Sequence, residues 1–155
     1  MPGPMEQKSD EQLRKERLHF YREEMSEINA TLRGFLSRAK AASAFLVDKD
    51  GHLITREGMD ERIDIDSICG LVAGAFAATK QMALILGENT FLNLFHQGKR
   101  ANIQVTLVGD RTILAVVFDD STTIGMVRLY LAEAASTLTT IFGRIMQRQQ
   151  AAMSG

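Results

Sequence analysis

The chain has 155 residues, of which 45% are hydrophobic and 24% are charged, a composition typical of one globular domain that buries about two thirds of its unfolded surface. Eighteen Lys and Arg residues against nineteen Asp and Glu residues leave a net charge of −1, so the charge excess that drives nucleic-acid binding is missing. A single cysteine excludes an internal disulfide, and the polar N-terminus lacks the apolar segment of a secretory signal. We therefore expect a cytoplasmic protein that does not bind nucleic acid.

The chain begins with an arm and a long helix. Residues 1–9 contain two prolines and a glycine without periodicity, which predicts a disordered arm. Over residues 10–42 apolar side chains recur every three or four positions, the pattern of an amphipathic helix. A helix of that length is roughly 45 Å long, more than one small sheet covers. Its first turns are therefore expected to project or to pack on another subunit.

Residues 43–149 are predicted to form the main domain, and residues 150–155 a short tail. Turn sequences between extended apolar runs predict two hairpins, and a nearly uncharged helix separates the first hairpin from the next strand. The strand at 102–107 alternates polar and apolar residues, which predicts one wet face and one dry face. With both long helices included, the order is α-ββ-α-βββ-α. This order predicts an α+β sandwich with a five-stranded, mostly antiparallel sheet and helices on both faces.

Two motifs that suggest ligands are interpreted as turns. Gly98-Lys99 joins two strands and lacks the earlier glycine of a phosphate-binding loop. Asp48 and Asp50 lie near Gly51 as in a calcium loop, but the first ligand position would be Leu46, which has no side-chain oxygen. We therefore expect a hairpin turn at each place.

No nucleophile, base and orienting group can be assembled from the sequence. Three histidines fall on three different elements, and Cys69 lies in the nearly uncharged helix without a neighbouring cation that would activate it. Cys69 is therefore expected to be a packing residue. We expect no catalytic site, no cofactor and no metal, and hence a protein that is not an enzyme.

The second helix is the most informative element. Its periodicity predicts a broad face for packing on the sheet, made of Ile68, Leu71, Val72, Ala75, Phe76, Thr79, Met82, Ala83 and Leu86. The middle of the opposite face is small and apolar where a solvated helix would carry Lys and Glu: Gly70, Ala73, Gly74, Ala77 and Ala78. Each glycine costs about 1 kcal/mol in a helix interior relative to alanine. A close contact with another backbone, which only a small residue permits, would explain why glycine is present despite this cost.

Three environments are possible for this helix. A membrane span is disfavoured by Lys80 and Gln81, which lie well inside the apolar segment. In the two remaining environments, the outer face of the helix is covered either by the rest of its own domain or by a second chain. An apolar strand that follows the helix favours the second chain, because an exposed apolar edge strand aggregates unless it is paired across a dimer. The residues of that predicted dimer edge are Phe91, Leu92, Leu94 and Phe95.

These segments, in their order and spacing, resemble the roadblock-type (dynein light chain type) domain family, and within it the bacterial MglB proteins that act on the small Ras-like GTPase MglA. The resemblance covers about residues 44–145. It rests on segments 45–51, 70–86, 87–91, 95–98, 108–111, 116–119 and 125–128.

The resemblance implies a homodimer in which the third strands pair and the two second helices lie side by side as a platform for a small GTPase. Carried over by position, the glycines and alanines of the second helix would face the GTPase or the twin helix. Proteins of this type accelerate GTP hydrolysis by reshaping the switch segments of the GTPase, without inserting an arginine. The long N-terminal helix departs from the shorter first helix of the family.

The leading hypothesis is therefore a dimeric regulator of a Ras-like GTPase that acts as an activator of GTP hydrolysis. The alternatives are a roadblock-type scaffold subunit of a polarity complex, which would bind without changing the rate, and a small-molecule sensory module, which would hold an interior pocket.

Overall fold

The computed structural model describes residues 9–58, 63–88 and 93–154, so most of the predicted N-terminal arm lies outside the described residues. Within them, three helices and five strands follow one another in the predicted order. The elements are α1 (Asp10–Ala39), β1 (Ser43–Asp48), β2 (Leu53–Glu57), α2 (Ile65–Ile85), β3 (Asn93–Gln97), β4 (Asn102–Val108), β5 (Thr112–Phe118) and α3 (Ile124–Ser154).

The five strands form one antiparallel sheet in the order β2-β1-β5-β4-β3. β1 and β5 lie in the middle, which agrees with their buried, almost uninterrupted apolar sequences. The shorter strands β2 and β3 form the two edges. Because consecutive strands are joined by tight turns or by a helix that crosses the sheet, this arrangement confirms the predicted α+β class.

The helices cover both faces of the sheet, as predicted. α1 and α3 pack together on one face, where Leu32, Phe35 and Leu138 belong to one buried cluster. α2 packs on the opposite face, where Phe45 and Phe76 belong to the second cluster. The described elements thus form three layers, and among them α2 is the one helix on its side of the sheet.

Two ion pairs show that α1 and α3 run antiparallel: Glu27 pairs with Arg144, and Arg38 pairs with Glu133. The second half of α1, Ile28 to Ala39, contributes four residues to the core, so this part of the helix belongs to the domain that was predicted to begin at residue 43. At the other end, α3 continues through residues 150–154, the segment predicted to be a tail.

The prediction of a wet face on β4 is wrong. Gln104 and Thr106 are buried because this face of the strand lies under the layer of α1 and α3. Their donor groups are paired with the edge strand β3, since the Oδ1 atom of Asn93 accepts hydrogen bonds from the Gln104 amide N–H (3.2 Å) and from the Thr106 hydroxyl. The Oε1 atom of Gln104 has no hydrogen-bond partner among the described residues. The rings of Phe95 and Phe118 stack beside them with centroids 6.1 Å apart. The alternating polar residues of β4 therefore belong to a buried hydrogen-bond cluster and do not form a solvent-exposed face.

Candidate functional site: the exposed face of α2

α2 begins at a capped N-terminus. The carboxylate of Asp64 accepts hydrogen bonds from the backbone N–H of Ser67 (3.3 Å) and from its hydroxyl (2.6 Å). An aspartate at this position pairs backbone donors that the first turn of a helix leaves free. The hydrogen bonds from Ser67 hold the pKa of Asp64 below its usual value.

The inner face of α2 lies on the sheet. Cys69, Val72, Ala73 and Phe76 follow the spacing i, i+3, i+4 and i+7 and are all buried against β1, β4 and β5. Burial raises the pKa of the Cys69 thiol, with a smaller contribution from the charge of Asp66, so the thiol stays protonated at neutral pH. Cys69 is therefore a packing residue, as predicted.

Four of the five residues predicted for the outer face do lie on it: Gly70, Gly74, Ala77 and Ala78 are exposed. Ala73 is a correction, since it is only 6% exposed and packs in the core under the helix. α2 is therefore rotated relative to the prediction, with the small residues Cys69 and Ala73 on the side that packs on the sheet.

The same rotation brings large apolar residues to the surface. Leu71, Met82 and Leu86 were predicted to face the sheet, but they are 73%, 56% and 81% exposed. Leu84 and Ile85 are exposed as well. Four consecutive apolar residues, 83–86, cannot all point to one side of a helix, and this was the signal in the sequence that the C-terminal end of α2 has an apolar outer surface. We call these exposed residues the α2 face: Gly70, Leu71, Gly74, Ala77, Ala78, Met82, Leu84, Ile85 and Leu86.

No contact within the described chain explains why the α2 face has glycine, and not alanine, at positions 70 and 74. Apart from its chain neighbours and the nearby backbone of α2 itself, a Cβ atom built on Gly70 or Gly74 would meet no described atom within 4 Å. Each glycine nevertheless weakens the helix by about 1 kcal/mol relative to alanine. Their outer side is therefore suited to the close approach of a second backbone, as in other helix contacts made through small residues.

A turn borders the α2 face at its N-terminal end. Gly51 in the β1–β2 turn has a φ angle of +90°, and a Cβ atom there would lie 2.9 Å from the Cα atom of Gly70. In the same turn, Asp48 accepts hydrogen bonds from the backbone N–H groups of Asp50 and His52, both at 2.9 Å. The bond from His52 is the main cause of the lowered pKa of Asp48.

The side chains of Asp48, Asp50 and His52 approach one another within 4.8 Å. The contacts of Asp48 are those of a tight turn that connects two strands, which agrees with the predicted hairpin. Glu57, at the end of β2, pairs with Arg33 of α1 at 2.9 Å. Gly98-Lys99 likewise forms a turn, where the N–H of Gly98 donates to the carbonyl of Ala101.

The predicted dimer edge falls on β3, an edge strand whose partner in the sheet is β4. Leu94 packs on the cluster beneath α2 and Phe95 on the cluster beneath α1 and α3, so the two side chains point to opposite faces. Phe91 and Leu92 lie outside the described residues. Among the described strands, the other edge of β3 has no neighbour and is geometrically able to pair with another strand.

By length and composition, Ile65–Ile85 is long and apolar enough to cross a membrane, the one helix of that kind in the described parts of the chain. Its buried residues, however, recur along the length of α2 and pack on the domain's own sheet. A helix with one side on a sheet is the core helix of a folded domain, and we interpret α2 in that way.

Comparisons with known proteins agree with this architecture. The family model of the Roadblock/LC7 domain matches residues 27–118. A structure of MglB from Myxococcus xanthus is 42% identical, with a TM-score of 0.73, and the match covers 76% of this chain and 96% of that chain. The gliding protein MglB from Thermus thermophilus is 30% identical, with a TM-score of 0.72 and coverage of 76% and 90%.

A further structure, described as MglB with a tetrameric arrangement, is 30% identical with a TM-score of 0.72, and covers 76% of this chain and 89% of that chain. Comparison with curated protein sequences gives no match. The family match spans the second half of α1 through β5, and therefore includes both faces of the sheet and the whole of α2. The chain belongs to the Roadblock/LC7 domain family, and its domain is MglB-like.

Proposed function

We propose that this protein is a homodimeric regulator of a small Ras-like GTPase of the MglA type, and that it binds the GTPase on the α2 face and accelerates GTP hydrolysis. The observation that carries the proposal is the exposed apolar surface of α2, where Leu71 and Ile85 are 73% and 85% exposed. Apolar patches of this kind mark binding sites for other proteins. The class of partner is the one that the resemblance to MglB proteins implies, and the similarity of this chain to MglB structures supports it.

Two parts of the α2 face differ in shape. Its N-terminal part has the flat surface of Gly70, Gly74, Ala77 and Ala78, which lets another backbone come close. Its C-terminal part has the bulky side chains of residues 82 and 84–86, which bury more area, at about 25 cal/mol for each Å² of apolar surface removed from water. A twin helix and a GTPase can therefore share one continuous surface.

Acceleration of hydrolysis would come from positioning. In small GTPases the reaction depends on Mg²⁺, a phosphate-binding lysine and a residue that orients the attacking water, and the stabilising arginine can belong to the GTPase itself. A rigid surface that holds the switch segments of the GTPase in the reactive arrangement then lowers the barrier without a catalytic residue of its own. α2 is suited to this role because it is fixed to the sheet along its inner face.

The proposed homodimer uses the open edge of β3. An edge strand with unpaired backbone groups is stabilised when a symmetry-related strand continues the sheet. Such pairing would place Leu94 and Phe95 at the junction of two sheets. It also brings the two copies of α2 to the same side of the extended sheet.

The experiment that tests the proposal measures phosphate release by the MglA-type GTPase of the same organism, with and without the purified protein. The wild-type protein should increase the rate, and Gly74→Arg should abolish the increase because a charged side chain then projects from the docking surface. Gly143→Arg is the matched control, since Gly143 is also an exposed helical glycine with open space at its Cβ position, on α3. Full activity of Gly74→Arg would show that the docking face is assigned wrongly.

The scaffold hypothesis makes a different prediction for the same mixture. A scaffold would bind the GTP-loaded form, and Gly74→Arg would weaken that binding, while the rate of phosphate release would stay at its intrinsic value. Binding without any rate change would therefore replace the activator hypothesis with the scaffold hypothesis.

A further inference from the structure

β3 is a five-residue edge strand that pairs with β4 in a single register. Leu94 lies opposite Val105, and Phe95 lies opposite Gln104. Because neighbouring residues of a strand point to opposite faces, a shift of β3 by one residue along β4 would move every side chain of β3 to the other face of the sheet. Some feature of the molecule therefore has to exclude the shifted register.

The apolar residues of β3 distinguish poorly between the two registers. Leu94 packs on the cluster beneath α2, and Phe95 packs on the cluster beneath α1 and α3, where its ring stacks on Phe118. After a shift by one residue, Leu94 and Phe95 would exchange faces, and each face would still receive one apolar side chain. In one direction of the shift, Leu94 would take the place of Phe95 opposite Gln104. Apolar burial is non-directional, so it changes little in this exchange.

The turn between β3 and β4 does not fix the register by itself. Residues 98–101 form a four-residue loop, closed by a hydrogen bond from the N–H of Gly98 to the carbonyl of Ala101 (3.1 Å). A shift by one residue would convert this loop to one of about three or five residues, and hairpin loops of both lengths are common. The turn also lacks the Asn-Gly or Asp-Gly pair that favours a two-residue loop.

Asn93, the first residue of β3, makes the contacts that depend on register. Its Oδ1 atom accepts hydrogen bonds from the amide of Gln104 (3.2 Å) and from the hydroxyl of Thr106. Both donors are covered, since Gln104 is 0% exposed and Thr106 is 7% exposed. The Oε1 atom of Gln104 has no partner among the described residues. The bond to Asn93 is therefore the side-chain hydrogen bond that Gln104 makes within the described chain.

A shifted register would break both hydrogen bonds at once. Asn93 would turn to the face of the sheet that α2 covers, and the buried donors of Gln104 and Thr106 would lose their acceptor. A buried donor without a partner costs more than its hydrogen bond contributes, because water cannot replace the acceptor. Hydrogen bonds are also directional. Asn93 therefore discriminates between the registers where the apolar contacts and the turn do not.

We propose that Asn93 is a positioning residue that sets the register of β3 on β4, and that this register aligns the two α2 helices on which the GTPase docks. The second part rests on the proposed function, in which the open edge of β3 pairs with its copy. A shift by one residue moves β3 by about 3.4 Å relative to its own domain. Two-fold symmetry applies the shift to both copies, so the two α2 faces would be displaced by about 7 Å. A GTPase docked across the pair would then lose part of its contact surface.

Thiol cross-linking of the full chain measures the register directly, in a Cys69→Ala background that removes the native thiol. The pair His96→Cys with Ile103→Cys places two thiols opposite each other in the observed register. The pairs His96→Cys with Asn102→Cys and Gln97→Cys with Ile103→Cys place them on opposite faces, and face each other only after a shift by one residue in one direction or the other. While Asn93 is present, a short bifunctional thiol reagent should join the first pair and neither shifted pair.

Asn93→Ala should raise the cross-linking yield of at least one shifted pair by about tenfold or more, because it removes the acceptor that excludes the shift. Thr106→Val removes one of the two hydrogen bonds at nearly constant shape and should raise the same yield less. Asn93→Asp keeps an acceptor oxygen at the same position and should return the yields to those of the wild type. If Asn93→Asp behaves like Asn93→Ala, the acceptor oxygen is not what sets the register.

Asn102→Ala is the matched control for these variants. The Oδ1 atom of Asn102 is buried on the same face of β4 as Gln104, but it has no hydrogen-bond partner in the part of the chain that the structure describes. Its removal should therefore leave the register unchanged, as measured with the pairs that do not include position 102. A shift in Asn102→Ala as large as that in Asn93→Ala would contradict the specific role of Asn93.

Sedimentation equilibrium and phosphate release separate this proposal from the proposed function. Asn93→Ala should raise the dissociation constant of the homodimer and lower the stimulation of the GTPase, each by about tenfold, and Asn93→Asp should restore both. A register that shifts in Asn93→Ala, when the wild-type chain forms no dimer, supports the role of Asn93 and contradicts the homodimer. A shifted register with unchanged dimerisation and stimulation contradicts the alignment of α2 through β3. A register unchanged in both Asn93→Ala and Thr106→Val contradicts the proposal itself.

Discussion

Gly51 in the β1–β2 turn lies against the backbone of Gly70 in α2, so that a Cβ atom on Gly51 would be 2.9 Å from the Cα atom of Gly70. The two glycines play different parts in this contact. Gly51 faces inward, toward the helix, and has a positive φ angle. The Cβ position of Gly70 instead has no described atom within 4 Å apart from the adjacent backbone of α2. The contact ties the first hairpin to the N-terminal end of the α2 face.

We expect Gly51→Ala to destabilise the fold by more than about 1 kcal/mol, because alanine is strained at this φ angle and its methyl group collides with α2. Gly109→Ala is the matched control, since Gly109 also has a positive φ angle (+66°) but open space around its Cβ position. Urea denaturation of both variants separates the strain from the collision. Equal losses in the two variants would show that the contact with Gly70 adds nothing.

Gly70→Ala and Gly74→Ala should separate folding from binding. Alanine is favoured over glycine in a helix by about 1 kcal/mol, and both positions have room for a methyl group. We therefore expect melting temperatures equal to or above that of the wild type, together with weaker stimulation of the GTPase. If both the melting temperature of the variants and their stimulation of the GTPase rise, Gly70 and Gly74 are not needed for a close contact with another protein.

Phe76→Ala and Ile85→Ala should differ strongly although both remove large side chains from α2. Phe76 is buried between α2 and the sheet, and its removal should cost about 3–5 kcal/mol of unfolding free energy. Ile85 is 85% exposed, and its removal should change the stability of the isolated domain by less than about 0.5 kcal/mol. Ile85→Ala should instead weaken binding of the GTPase in a titration, and unchanged affinity would remove the C-terminal end of α2 from the docking surface.

The cap of α2 predicts a dependence on pH. Because hydrogen bonds from Ser67 lower the pKa of Asp64 in the folded protein, the unfolded chain binds the proton more readily. The stabilising contribution of Asp64 is therefore complete above the unfolded pKa, near 3.9, and is lost as the pH falls through the lower folded value. Asp64→Asn retains a capping oxygen without this titration, so its stability relative to the wild type should improve between about pH 5 and pH 2. If the difference in unfolding free energy between Asp64→Asn and the wild type stays constant over that range, Asp64 is not the group whose titration destabilises the cap.

The element order and the layer arrangement followed from the sequence because turn residues and apolar periodicity agree along most of the chain. The rotation of α2 did not follow, because both sides of this helix are apolar and the contrast that normally fixes the buried face is weak. Only contact with the sheet decides that Ala73 is buried and Leu71 exposed. The buried state of Gln104 was missed for a related reason, since its hydrogen-bond partner, Asn93, lies on another strand and no local pattern in the sequence predicts the pairing.

Hydrogen exchange measured by mass spectrometry on the full chain, alone and with the GTP-loaded MglA-type GTPase, tests the docking surface most directly. Peptides that cover residues 66–86 should exchange more slowly in the complex, while peptides that cover 134–144 of α3 should not change. Protection confined to α3, with α2 unaffected at saturating GTPase, would contradict the assignment of the α2 face.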